Sequence, residues 1–325
     1  MKNIQALVSL FFAVLMIAPS IGISQTPQGK KFESLIQLIE YAYVDSSDAD
    51  KLTEKAIRSV LKDLDPHSVY IPKKDLEKVN EPLVGKFEGI GIQFNILDDT
   101  IMVTNTISGG PSEKLGIMAG DRITHIDGEN VGGTGINNSK VVKLLRGDKG
   151  TKVKVDIKRR GESELLDFEI TRDKIPLYSV EAKYMVTSDV GYIKISRFAN
   201  STVKEFEEAL SMLQAKGAKS LILDLTNNGG GYLNRAIEMA DEFLSDDKLI
   251  VYTEGRSNPR RDSKSSHAGK FEKGKLVVLI NESSASASEI VSGAIQDWDR
   301  GLVIGRRSFG KGLVQKPYPL PDGSA

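Results

Sequence analysis

The chain has 325 residues, 40% of them hydrophobic and 27% charged, with 44 basic residues balanced by 44 acidic ones. That length predicts two or three domains, the composition is that of a globular protein, and the charge balance offers no global field for nucleic acid. There are no cysteines, which excludes disulfides, thiolate catalysis and cysteine-ligated metal; only His67, His125 and His267, far apart in sequence, are available as imidazole bases or ligands.

The N-terminus reads as a targeting segment. Lys2 precedes an apolar run from Ala6 to Ile23, broken by Pro19, and Gly22-Ile23-Ser24 supplies the small residues of a signal-peptidase site. Residues 1–24 are taken as a signal peptide cut before Gln25. A run of about 18 apolar residues is also near the spanning length, so an uncleaved anchor, and with it membrane association, is the competing reading. Both send the remainder across the inner membrane, to the periplasm or cell envelope.

Residues 25–84 form a helical region. Phe32, Leu35, Ile36 and Ile39 recur at three- and four-residue steps, and Ala56, Val60 and Leu64 continue the pattern. Leu64-Asp-Pro-His-Ser68 closes it with a turn, because proline disfavours helix at Asp65. His67 is expected as a turn or packing residue. Residues 85–176 change to short β-rich runs between glycine turns, namely 101–104, 122–127 and 152–157, with one helix around Ser139 to Leu145. This predicts a small barrel-like module in which His125 is structural.

Residues 177–325 alternate strand and helix. Tyr192 to Ile195, Ser220 to Leu225, Leu276 to Ile280 and Gly301 to Gly305 read as strands, several buried on both faces. Val203 to Lys216 is an amphipathic helix with Phe206, Leu210 and Leu213 on one face. A helix follows the glycine-rich turn Asn227-Asn-Gly-Gly-Gly231, and another runs from Ser286 to Ile295. The polar, basic stretch 255–274 is expected as an exposed loop or flap.

Two local features carry chemistry. Ser286 follows a buried strand, where a sharp turn into a helix exposes its hydroxyl. Amides of a first helical turn lack partners inside the helix, so the Ala287 N–H is a natural oxyanion donor. The 227–231 turn is the natural second donor, since glycines allow close backbone approach. The alternative makes these serines helix N-caps, Ser283 and Ser284 above all. Lys311, 25 residues beyond Ser286, lies between Gly310 and Gly312. Lysine serves as a base near neutral pH only if its pKa falls by about 3 units, on the order of 4 kcal/mol, which apolar burial achieves. Phe309 is the expected wall of such a pocket; a surface turn lysine is the plain alternative. A phosphate loop is excluded by the missing G-x-x-x-x-G-K-[ST] spacing.

Together Ser284-Ala-Ser-Ala-Ser-Glu289, Gln296-Asp297 and Ser308-Phe-Gly-Lys-Gly-Leu-Val-Gln315 resemble the carboxyl-terminal processing, or tail-specific, proteases of the S41 peptidase family. Asp224-Leu-Thr-Asn-Asn-Gly-Gly-Gly231 resembles that family's oxyanion segment, and Gly89-Ile90-Gly91-Ile92 the carboxylate-binding loop of a PDZ domain. The resemblance implies an α/β chain: a crotonase/ClpP-like catalytic core with an inserted β-rich α+β PDZ domain and a helical N-terminal segment. It also implies Ser286 as nucleophile and Lys311 as general base. Gln315 orients the lysine, Gly230 and Ala287 donate to the oxyanion with Gly231 as fallback for the first, and Asp297 is an acidic residue of less settled role. Gly89, Ile90, Gly91 and Ile92 receive the substrate terminus. No metal or cofactor is implied.

The function expected is an extracytoplasmic serine endopeptidase that recognises protein or peptide C-termini through the PDZ domain and cleaves with a Ser-Lys dyad. The alternative is a catalytically silent PDZ-bearing binding or adaptor protein on a protease-derived scaffold. A histidine-dependent protease fits badly, because no Gly-x-Ser-x-Gly elbow surrounds a candidate serine. Relatives are expected to continue beyond Ala325, so a C-terminally incomplete core is part of the reading. Oligomeric state and any adaptor partner stay open.

Overall fold

The computed structural model describes residues 26–245 and 247–325, so the signal-peptide expectation for residues 1–24 lies outside them. The chain divides into two compact units, one reaching to Pro72 and taking in Pro317–Ala325, the other Lys73–Lys316. Among the described residues no helix is long and apolar enough to cross a membrane.

The first unit contains α1 (Pro27–Ala42) and α2 (Ala49–Lys62). Both start on side-chain caps: Thr26 accepts from the Gly29 amide at 3.1 Å and Asp48 from the Lys51 amide at 3.0 Å. The turn expected after Leu64 is present. Asp65 accepts the amides of His67 and Ser68 and the Ser68 hydroxyl at 2.7, 2.8 and 2.7 Å, an Asx turn locked ahead of the helical alternative. Ile71 and Ala325 exchange backbone hydrogen bonds.

The second unit opens with α3 (Lys73–Val84), then the module foreseen from its glycine turns. Its elements are β1 (Lys86–Gly89), β2 (Ile92–Leu97), β3 (Thr100–Thr106), α4 (Pro111–Lys114), β4 (Arg122–Ile126), β5 (Glu129–Asn130), α5 (Asn138–Leu145), β6 (Lys152–Lys158), β7 (Leu166–Thr171) and β8 (Asp173–Pro176). The strands form a sheet in the order β2-β3-β4-β6-β7, with β5 on β4, leaving β2 at an edge. Alternation sets the core: Val153, Val155 and Ile157 of β6 point inward against Ile101, Val103, Ile123 and Val141. His125 lies on β4, with Nδ1 3.1 Å from the Thr124 hydroxyl and 3.4 Å from Asp156, a sheet-face arrangement. β1 and β8 pair antiparallel outside this sheet, making a two-stranded stem through which the chain enters and leaves. The residues flanking the stem are held in turn. Before it, Leu83 O accepts the Asn200 amide at 3.0 Å, and after it, Glu205 accepts the amides of Ser179 and Val180 at 2.7 and 3.0 Å.

The remainder is α/β: β9 (Val180–Met185), β10 (Val190–Ile195), α6 (Thr202–Ala215), β11 (Ser220–Asp224), α7 (Leu233–Asp241), β12 (Leu249–Gly255), β13 (Asn258–Lys264), β14 (Lys275–Ile280), α8 (Ala287–Asp297) and β15 (Leu302–Gly305). The sheet runs β15-β14-β11-β10-β9, parallel except for β9. Its inward residues, Ile193, Ile195, Leu221, Leu223, Leu276 and Val278, pack with Phe206, Leu210 and Leu213 of α6 and with Val291 and Ile295 of α8. The parallel strands aim their C-terminal ends, and the turns attached to them, at one edge, where α/β proteins build sites. The stretch expected as a loop is in its first half a hairpin: β12 and β13 pair across the two-residue turn Arg256-Ser257, and Arg260 lies 3.9 Å over the Tyr252 ring. Two extended runs joined by a tight turn satisfy each other's backbone, which a solvated loop does not.

The segment after this hairpin secures α7. Asp241 and Glu242 are buried at that helix's C-terminal end, where the backbone dipole disfavours negative charge. Ser266 N–H donates to Asp241 and Lys270 N–H to Glu242, both at 2.9 Å; His267 Nδ1 lies 2.7 Å from Asp241 and Nε2 3.5 Å from Glu242. Burial opposes protonation of His267, but the two carboxylates outweigh it and hold the imidazole above its ordinary value. The stabilisation is complete below the unfolded value of about 6.5 and is lost as pH rises through the raised folded one. The difference in Tm between wild type and His267→Ala should therefore be a few degrees near pH ~5.5 and shrink toward pH ~9. Thermal unfolding across that range checks it, and a gap that is flat or widens with pH contradicts the latch.

Candidate functional site

The site is built by two turns at the ends of neighbouring parallel strands, the glycine-rich turn after β11 and the serine turn after β14. Alternation in Ser284-Ala-Ser-Ala-Ser288 sorts the three serines. Ser284 and Ser288 are fully buried and Ser286 is half-buried. The Ser284 hydroxyl donates to Leu225 O at 2.7 Å and accepts the Asn281 amide at 2.9 Å; the Ser288 hydroxyl donates to Asn228 O at 2.8 Å. Buried Asn228 completes the joint. Its Nδ2 donates to Ile195 O at 2.9 Å, its Oδ1 accepts the Gly230 amide at 2.9 Å, and its carbonyl accepts the Ala285 amide at 3.0 Å. Asn227 and Asn281 pair reciprocally at 2.9 and 2.8 Å on the exposed side.

Ser286 stands at the N-cap position of α8 with φ +55° and ψ −109°. A non-glycine residue in that region is strained and persists only where its surroundings over-determine it. Ser284, weighed as a helix cap, instead staples the two turns together. Gly230 lies against the serine: a Cβ there would sit 2.9 Å from Ser286 Cβ, 3.0 Å from the Ala287 nitrogen and 2.8 Å from Ala285 O, at a backbone φ of +102°.

Of the two oxyanion donors expected, Ala287 is available: its amide meets no acceptor among the described residues. Gly230 is a correction. Its N–H is taken by Asn228 Oδ1, because the buried asparagine needs that donor to satisfy its own oxygen. The fallback, Gly231, has an amide with no acceptor among the described residues, and its neighbourhood admits nothing larger, since a Cβ would fall 2.2 Å from Phe198 O.

The segment bearing Lys311 is anchored to the serine turn through its backbone. Phe309 N–H donates to Ser284 O at 3.0 Å. The Glu289 carboxylate accepts the Ser308 hydroxyl at 2.8 Å and the amides of Gly310 and Lys311 at 2.6 and 2.9 Å, and also the amide of Ser286 at 2.7 Å. Burial pushes the Glu289 carboxyl up, but these donors outweigh it and hold it below the usual carboxylate range. Lys311 itself is half-buried, and its Nζ donates to Gln315 Oε1 at 2.5 Å, so the structure pairs the two residues expected as base and orienting residue. No hydrogen bond joins Lys311 Nζ to Ser286 Oγ among the described residues.

Two expectations are corrected here. Among the described residues the segment carrying Lys311 and Gln315 pairs with no neighbour in the sheet. Phe309 on that segment is 62% exposed and supplies no apolar wall. Asp297 is the exposed last residue of α8, whose first residue comes directly after Ser286. At 1.5 Å per residue it stands about 16 Å along the helix from the serine, away from the two turns. Glu289, Asn228 and Ser288 were assigned no role in the sequence. Ser286-x-x-Glu289 at the head of a helix is the capping-box spacing that could have singled out the first of them.

In the β-rich module, Gly89 ends β1, Ile90 and Gly91 connect, and Ile92 starts β2. Ile90 O accepts the Ser112 amide and hydroxyl at 3.1 and 2.7 Å, and Gly91 O accepts the Ile107 amide at 2.9 Å. The carbonyls are thereby occupied, while the amides of Ile90 and Gly91 have no acceptor among the described residues. Gly91 takes φ +77°, and a Cβ would press on Ile175 at 3.0 Å. Free amides beside the open edge of β2 are what an extended peptide ending in a carboxylate requires.

Comparison with known proteins gives matches over both regions of the chain. Residues 189–325 match the model of peptidase family S41 and residues 89–170 that of the PDZ domain. A protein of Staphylococcus haemolyticus (strain JCSC1435) named as a probable CtpA-like serine protease is 37% identical, over 98% of this chain and 65% of its own length. One of Staphylococcus aureus (strain COL) with the same name is 36% identical, over 93% and 61%. The chain thus spans a little under two thirds of the length of these relatives. Among solved structures, a photosystem II D1 C-terminal processing protease is similar at 28% identity and a TM-score of 0.49, covering 92% of this chain and 86% of that one.

The packing at Gly230 makes a specific demand. Gly230→Ala should cost about 1–3 kcal/mol of stability from its positive φ and contacts. It should also slow labelling of Ser286 by a serine-directed phosphonylating probe by at least about tenfold, since the joint between the turns must open. Unchanged labelling in a folded variant would mean that the two turns act independently.

Proposed function

We propose that this protein, whose residues 189–325 match the model of peptidase family S41 and residues 89–170 that of the PDZ domain, is an extracytoplasmic serine endopeptidase. It captures protein C-termini with the PDZ domain and cleaves peptide bonds with Ser286 and Lys311. The observation that carries the reading is the strained Ser286 at the head of α8, riveted to the glycine turn and flanked by the anchored Lys311 segment.

In the reaction, Ser286 Oγ adds to the scissile carbonyl while the neutral Lys311 amine takes its proton. The amides of Ala287 and Gly231 hold the oxyanion. Collapse of the adduct expels the amine, which receives the proton back from Lys311, and water delivered through the same base hydrolyses the acyl-enzyme. Lys311 reaches Ser286 by turning its side chain away from Gln315 about a backbone that Glu289 holds still. The PDZ domain takes a terminal carboxylate on the amides of Ile90 and Gly91, and the peptide adds as a strand to β2. Residence outside the cytoplasm is supported by the apolar run from Ala6 to Ile23.

Ser286→Ala and Lys311→Ala should each lower kcat on an unfolded protein substrate by about 10³- to 10⁴-fold. Amidating the C-terminus of a peptide ligand should weaken its binding at least about tenfold while leaving the dyad's chemistry intact. Turnover that survives in both alanine variants sinks the dyad. A wild-type protein that binds tails and never cleaves would be the adaptor instead.

A further inference from the structure

Glu289 receives four hydrogen bonds, and their origin is informative. Its Oε2 accepts the amides of Ser286 and Lys311 at 2.7 and 2.9 Å; its Oε1 accepts the Ser308 hydroxyl and the Gly310 amide at 2.8 and 2.6 Å. Four donors fill the lone-pair directions of a carboxylate, and bonds to an ionised acceptor are about twice as strong as neutral ones. We infer that Glu289 is the positioning residue of the dyad, one anion that holds the backbone of the nucleophile and the backbone of the base in fixed register. The inference rests on the Ser286/Lys311 reading above.

The surrounding structure explains why such a device is needed. Among the described residues, 307–316 pair with no strand, so the sheet does not locate Lys311. Without Glu289 the segment keeps the bonds of Arg306 N–H to Ile280 O at 3.2 Å and Phe309 N–H to Ser284 O at 3.0 Å, both upstream of the lysine. On the other side, drawing the Ser286 amide toward Glu289 holds that residue's positive φ, while the next amide, Ala287, stays free for the substrate. A single carboxylate thus serves both partners and takes no proton in the reaction.

The chemistry predicts a graded series. Glutamine retains one oxygen, which can still receive the Ser286 and Lys311 amides. Its NH2 group then faces Ser308, whose hydroxyl reverses to accept, and leaves only the Gly310 amide unmatched. Alanine removes all four acceptor sites. Aspartate keeps the charge but is one methylene too short to span both segments.

The experiment measures kcat and KM on an unfolded protein substrate, together with Tm, for Glu289→Gln, Glu289→Ala and Glu289→Asp. Expected are losses in kcat of about tenfold for glutamine and about 10²-fold or more for alanine and aspartate, with KM within about threefold of wild type. A helix cap alone would lower Tm and leave kcat per folded molecule unchanged, and that result overturns the inference. Should the Glu289 variants fail to fold, Ser308→Ala decides. It deletes one donor, and a several-fold fall in kcat at unchanged Tm supports the role, whereas wild-type kcat overturns it. Activity persisting in Ser286→Ala takes down both readings; activity lost there but intact in Glu289→Gln takes down this one alone.

Discussion

The joint between the glycine turn and the serine turn is the constraint on which the rest depends. Asn228 is fully buried and bonded through its side chain to Ile195 and Gly230 and through its carbonyl to Ala285 and Ser288. A buried amide of this kind is costly to leave unsatisfied, on the order of 1–3 kcal/mol per group. The two turns therefore form together or not at all. That cooperativity is what lets a serine occupy φ +55°, a conformation its own backbone resists. The small residues between the serines reflect the same packing, since Ala285 and Ala287 are themselves buried against the glycines.

The two halves of the proposed dyad are held in contrasting ways. The nucleophile sits on a turn over-determined by packing, by buried hydroxyls and by a helix. The base sits on a segment located by backbone bonds to one carboxylate and to the carbonyls of Ile280 and Ser284. Its side chain engages Gln315, four residues on.

The PDZ domain is joined to the core without interrupting either fold. The antiparallel stem of β1 and β8 closes it off, and the residues flanking the stem, Leu83 before it and Ser179 after it, are bonded to Asn200 and Glu205 around the start of α6. Immediately before that helix, Phe198 donates to Gly230 O at 2.9 Å and accepts from the Tyr232 amide at 2.8 Å. The stretch that seats the stem is therefore also a neighbour of the glycine turn.

Much of this was legible in order along the chain. Val153, Val155 and Ile157 announce a strand by period two, and Phe206, Leu210 and Leu213 a helix face by period 3.6, because each periodicity is set by local backbone geometry. The Asp65 turn and the glycine turn were equally plain, their side chains and missing side chains acting over a few residues. The failures were non-local. Gly230 resembles a free donor until Asn228 is folded beneath it, Phe309 resembles a pocket wall until its exposure is seen, and Asp297 resembles a site residue until the length of α8 is counted. Residue type and short-range spacing are enough to establish the elements, the modular order and the small set of residues able to do the chemistry. Which amides remain free, where the lysine points and that Glu289 joins serine to base emerge only on folding, because hydrogen bonds between residues tens of positions apart exist only once the strands have brought their ends together.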